Sequence, residues 1–107
     1  MTEHNKLVRD KIPEICQANG DVPTTRILDD AEYISALYDK LDEESREVRE
    51  AEQNDVLGEL ADALEVLRAI GKARGYTPEQ IEAKRAQKFE ERGGFDDRIF
   101  LVSTEKA

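Results

Sequence analysis

Residues 31–74 read AEYISALYDKLDEESREVREAEQNDVLGELADALEVLRAIGKAR, and the placement of their apolar residues decides the fold. An α-helix turns about 100° per residue, so side chains three or four apart share a face. In the first half, Ile34, Leu37, Leu41 and Val48 form one apolar stripe. In the second half, Leu57, Leu60, Leu64 and Leu67 make one apolar face, and Ala63, Val66, Ala69 and Ile70 make another, nearly opposite. Glu65, Arg68 and Lys72 share the remaining polar strip. The spacing predicts helices over 31–52 and 55–74, folded back on each other as a hairpin. Asp29 and Glu32 form a capping box ahead of the first. Asn54 is the expected N-cap of the second, with Gly75 just past its end. A helix apolar on two sides is expected to be central and mostly buried.

Outward from this hairpin the signals are more local. Thr77-Pro78-Glu79-Gln80 reads as an N-cap, a first helical residue and a second capping box, opening a helix that ends at Gly93-Gly94. Asp10 is placed to cap a short helix through Gln17, with Pro13 in its first turn. Ile99-Phe100-Leu101-Val102 reads as a short strand. No repeat, low-complexity segment or linker interrupts the chain, so residues 1–107 are expected to form one domain. The expected fold is all-α, a bundle around a central antiparallel hairpin, with at most that minor strand near the C-terminus.

Composition narrows the function. The 107 residues carry 25 acids against 16 Lys and Arg, a net charge of −9. Polymeric nucleic acid is a poor partner for such a chain, because binding it depends on Lys and Arg releasing phosphate counterions. A small anionic substrate remains compatible if a bound cation reverses the local sign. Cys16 is the only cysteine and His4 the only histidine, which leaves almost nothing for a disulfide, a zinc site or a triad. The N-terminal MTEHNKLVRDKIPEI has no apolar run long enough for a signal peptide or a membrane span, and a cytoplasmic location is expected.

Certain acids sit on the wrong face. Glu44 projects into the middle of the first helix's apolar stripe and Glu47 lies at its edge. Glu59 and Asp62 lie within the second apolar face of the following helix. With the hairpin folded around residues 52–55, Glu47 and Glu59 stand at nearly the same height above the turn. Glu44 and Asp62 are each three residues further on, about 4.5 Å lower at ~1.5 Å rise per residue. Two acid pairs therefore face each other at matched levels, each close enough on its helix to share an ion. Inward carboxylates need raised pKa values, inward Arg or Lys partners, or a divalent cation. Hard oxygen ligands without His or Cys favour Mg²⁺, or Mn²⁺ as a substitute, over zinc. An isolated ExxE pair in so acidic a chain would usually be a solvated face; two facing pairs on apolar faces are a different matter.

The same residues carry a family resemblance. Glu43-Glu44-Ser45-Arg46-Glu47 followed by Glu59-Leu60-Ala61-Asp62 resembles the EExxE…ExxD signature of the all-α NTP pyrophosphatases, the MazG-like superfamily. That superfamily includes dimeric dUTPases and phosphoribosyl-ATP pyrophosphatase. Lys6-Leu7-Val8-Arg9-Asp10-Lys11-Ile12-Pro13-Glu14-Ile15 and Arg92-Gly93-Gly94-Phe95 resemble the terminal blocks of one small branch, that of phosphoribosyl-ATP pyrophosphohydrolase-like small proteins. The one departure is Gly58, where that branch would carry another acid. The resemblance implies a dimerising helical bundle with Mg²⁺ on Glu44, Glu47, Glu59 and Asp62. It also implies cleavage of a nucleoside triphosphate between its α and β phosphates.

Within that expectation, Glu43 lies one turn before Glu47 and outside the apolar stripe, where it can serve as general base or merely solvate the helix. Glu65 continues the acid ladder but sits on the polar strip. Lys84, Lys88 and Arg92 line one side of the third helix; Lys88 and Arg92, with Lys6, Arg9 and Lys11, are candidates for binding phosphate oxygens. Gly93-Gly94 can either present backbone N–H groups to phosphate or simply cap the helix. Tyr33, Tyr38 and Phe89 fit core packing better than base stacking. The two-sided second helix leaves an apolar remainder that a homodimer, or a higher assembly, would cover. The alternatives are phosphoribosyl-ATP pyrophosphatase itself and a non-catalytic helical interaction module.

Overall fold

The computed structural model describes residues 1–107 and contains only helices. They are α1 (Ile12–Ala18), α2 (Asp30–Glu50), α3 (Val56–Ala73) and α4 (Pro78–Arg92), with a single 3₁₀ turn at Gln53–Asp55 between α2 and α3. No helix is long and apolar enough to cross a membrane.

Local chemistry sets the ends of the helices. At α2 the Glu32 backbone N–H donates to Asp29 Oδ1 at 2.9 Å and the Asp29 N–H donates to Glu32 Oε1 at 3.3 Å, completing the capping box. Thr77 and Gln80 reciprocate in the same way at α4, with bonds of 2.9 and 3.1 Å. Gly75, at φ 94°, takes the left-handed position after α3. There the Gly75 N–H donates to the Lys72 carbonyl and the Tyr76 N–H to the Gly71 carbonyl, a Schellman ending. Gly93, at φ 78°, closes α4 with its N–H on the Phe89 carbonyl at 2.7 Å.

α2 and α3 form the antiparallel hairpin, and their seam is the core. Leu37 and Val66 are its buried apolar residues. Ile34, Tyr38, Ile70 and Ala73 continue the seam away from the turn. α4 docks at the far end of α3, where Ile81 lies so close to Gly71 that a Cβ there would collide with it.

Several expectations fail here. Residues 99–102 form no strand. A strand is stable only with a neighbour to receive its N–H and C=O groups, and this all-helical chain supplies none. Asn54 does not cap α3, because the 3₁₀ turn through Asp55 feeds directly into the helix. Asp10 does not cap α1; Lys11 occupies that position without a side-chain bond, while Pro13 does sit in the first turn. α3 is central to the hairpin but not mostly buried. Its Val66 face packs against α2, whereas Leu57, Leu60, Leu64 and Leu67 are 80%, 50%, 50% and 47% exposed. The molecule is correspondingly open, with a radius of gyration of 18.4 Å, where a compact domain of 100 residues has about 13 Å.

Candidate metal centre

Just above the hairpin turn, the apolar seam gives way to carboxylates. Glu44 is among the four buried residues of the chain, 5% exposed. Glu43, Glu44 and Glu47 of α2 offer ligand oxygens within 4.8 Å of one another, and so do Glu44, Glu59 and Asp62 across the hairpin. Glu44 belongs to both groups: it meets Glu59 and Asp62 across the hairpin, while Glu47 joins it and Glu43 along α2. The cluster can hold a metal ion.

The electrostatics show which charges are compensated. Lys6 Nζ donates to Glu43 Oε1 at 3.4 Å, and Lys40 Nζ to Glu43 Oε2 at 3.4 Å. Burial pushes the Glu43 carboxyl up, but Lys40 and Lys6 outweigh it and hold the group below the usual carboxylate range. Arg9 Nη2 donates to Asp62 Oδ1 at 2.7 Å. Glu44 is less well served. Lys40 is 3.7 Å from its Oε1, while burial first, then the Glu47 and Asp62 charges, push its carboxyl up. Glu59 is pushed up by burial, then by Glu47, with Asp62 and Asp55 adding to it.

Glu44 Oε2 and Glu59 Oε2 are both buried and accept no hydrogen bond. A buried acceptor without a partner is costly, and a carboxylate oxygen more so. Two orphaned oxygens in a group whose ligand atoms lie within 4.8 Å of one another fit a hard divalent cation. Basic partners and raised pKa values thus account for part of the cluster and leave the Glu44–Glu59–Asp62 side open.

The remaining candidates lie elsewhere. Lys88 and Arg92 are exposed on α4 and enter no hydrogen bond or ion pair with the carboxylates. Glu65 is exposed and outside both groups. Tyr33, Tyr38 and Phe89 are 37%, 45% and 54% exposed, so none is fully buried, although Tyr38 lines the end of the seam away from the turn. Lys11 forms no ion pair. Lys40 was missed from sequence, although its place three and four residues before Glu43 and Glu44 puts it on their face.

No family model matches the chain, and no solved structure matches it. Over 50 residues, 47% of this chain, it is 52% identical to an uncharacterized protein of Mycolicibacterium smegmatis (strain ATCC 700084 / mc(2)155). That match covers 51% of the relative, so the chain spans about half the length of the protein it resembles.

Proposed function

We propose that this chain is a Mg²⁺-dependent nucleoside triphosphate pyrophosphohydrolase that releases a nucleoside monophosphate and pyrophosphate. The observation that carries this reading is the pair of buried, partnerless oxygens on Glu44 and Glu59, residues that share an all-oxygen donor group with Asp62. The EExxE…ExxD resemblance supports the same chemistry from the motif side.

In this reading Glu44, Glu47, Glu59 and Asp62 hold Mg²⁺ or Mn²⁺. Such a cation would supply charge compensation for the triphosphate during attack of water at phosphorus. The protein's part is positioning. The α2–α3 seam fixes the carboxylates on rigid helices, and Glu43, held ionised by Lys40 and Lys6, would accept a proton from the attacking water. Lys6 and Arg9 already stand at the cluster and serve the phosphate oxygens. Lys88 and Arg92 would meet an anion bound there from a second copy of the chain.

A homodimer supplies that second copy. The exposed Leu57, Leu60, Leu64 and Leu67 lie three or four residues apart on one side of α3, a stripe suited to packing against its own two-fold mate. With only four buried residues in the single chain, such a dimer would also complete the core.

The test is a substrate panel of ordinary and damaged NTPs, dNTPs and phosphoribosyl-ATP with Mg²⁺, followed by pyrophosphate release. Turnover of nucleotides in preference to phosphoribosyl-ATP supports the reading. Turnover of phosphoribosyl-ATP alone moves the protein to histidine biosynthesis. No turnover, with no effect of Mg²⁺ on thermal stability, leaves a non-catalytic helical module.

A further inference from the structure

The chain before α1 is not helical, yet it is tied to both arms of the hairpin. Lys6 pairs with Glu43 on α2 and Arg9 pairs with Asp62 on α3. Three residue steps of extended chain span roughly 10 Å, about the 8–10 Å between packed helix axes. The segment therefore lies across the carboxylate cluster, with Leu7 and Val8 partly buried between the two cations.

Both pairs are built to be exchangeable. Arg9 and Asp62 are 55% and 44% exposed, and Lys6 is 44% exposed. Ion pairs at that exposure hold weakly and are screened by solvent. Asp62 also belongs to the one carboxylate group that carries two orphaned oxygens. Arg9 thus sits on an oxygen-bearing group that a divalent cation would need, and a doubly charged ion shared by several carboxylates outcompetes a single exposed guanidinium.

We infer that residues 6–9 form a strap in which Arg9 is a resident counterion, displaced from Asp62 when a divalent cation enters and freed to meet the incoming anion. The inference rests on the cation-binding reading above and adds to it a competition within the chain. Cation entry loosens the strap at the α3 end first, because Asp62 belongs to the open group whereas Glu43 is also held by Lys40.

The test uses Mn²⁺ alone, without nucleotide, on the full chain. Mn²⁺ affinity is measured by electron paramagnetic resonance for wild type, Arg9→Gln, Lys11→Ala and Glu59→Gln. Lys11→Ala removes the same charge nearby but no ion pair. The strap predicts that Arg9→Gln binds Mn²⁺ about two- to five-fold more tightly than wild type, the worth of an exposed ion pair, and more tightly than Lys11→Ala. It also predicts that Mn²⁺ speeds trypsin cleavage after Lys6 and Lys11 in wild type, and that Arg9→Gln is already fast without the ion. Equal affinity of Arg9→Gln and Lys11→Ala, weaker binding by Arg9→Gln, or cleavage indifferent to Mn²⁺ overturns the strap. In those cases the cation site stands as long as Glu59→Gln binds less than wild type. A wild-type protein that binds no Mn²⁺ overturns both.

Discussion

Replacing Glu44 by Gln keeps the shape of a buried side chain and removes its charge. Without metal this substitution should stabilise the protein. Oxygens of Glu44 and its acidic neighbours lie within 4.8 Å, a separation at which two unit charges repel by about 0.9 kcal/mol in a water-like medium and about 3.5 kcal/mol at an effective dielectric of 20. Lys40, 3.7 Å from Glu44, gives back about 1.1 or 4.5 kcal/mol at the same two limits. With Glu47 and Asp62 as the two repelling neighbours, the net gain from Glu44→Gln is about 0.6–2.4 kcal/mol. For a domain of this size each kcal/mol moves the midpoint by roughly 4–8 °C. The assay is thermal unfolding in EDTA and again in saturating Mg²⁺. The metal-free variant should melt higher than wild type, and Mg²⁺ should reverse the order, since an ion at 100-fold its Kd adds about 2.7 kcal/mol to the form that binds it. A Glu44→Gln protein that melts lower than wild type in EDTA, or gains as much from Mg²⁺, would rule out a repelled Glu44 charge that a cation compensates.

Other consequences follow from the same cluster. Glu44 and Glu59 have folded-state pKa values raised above their unfolded ones, so the folded state binds more protons in the interval between the two, and stability there falls as pH rises. Metal-free protein should therefore melt progressively higher as pH drops from neutral toward the ordinary carboxylate range; a flat profile in EDTA contradicts this. Glu47→Gln, Glu59→Gln and Asp62→Asn should each lose most activity, on the order of 100-fold, as loss of one transition-state charge contact typically does; near-wild-type turnover in any two would sink the four-ligand set. Ca²⁺ should support little turnover, because its looser coordination misplaces the reacting groups. Light scattering at micromolar concentration should give about twice the 12.2 kDa chain mass, and Leu60→Glu with Leu64→Glu should halve it; an active wild-type protein of single-chain mass excludes the dimer.

What the sequence made legible was whatever short-range geometry determines. The Asp29–Glu32 and Thr77–Gln80 boxes need only three residues of spacing, and both formed as read. The approach of Glu44 to Glu59 and Asp62 across the hairpin needed only the helical rise and the position of the turn. The choices of Lys6 and Arg9 were not legible in the same way, because their partners lie 37 and 53 residues away. Periodicity also marked both faces of α3 as apolar without saying what covers each. α2 takes the Val66 face, and within one chain nothing takes the leucines. Ile99 to Val102 have strand composition, but composition cannot supply the second strand. Lys88 and Arg92 share a face of α4, yet where that face points depends on how α4 docks at Gly71, a contact no local pattern encodes.

Cleavage between the α and β phosphates is read out by ³¹P NMR of a nucleoside triphosphate incubated with the purified chain and Mg²⁺. The three triphosphate resonances should give way to those of a nucleoside monophosphate and inorganic pyrophosphate in equal amounts, about 100-fold more slowly with Glu59→Gln. Release of orthophosphate with a diphosphate, or triphosphate resonances that persist across the panel of bases and sugars, would contradict it.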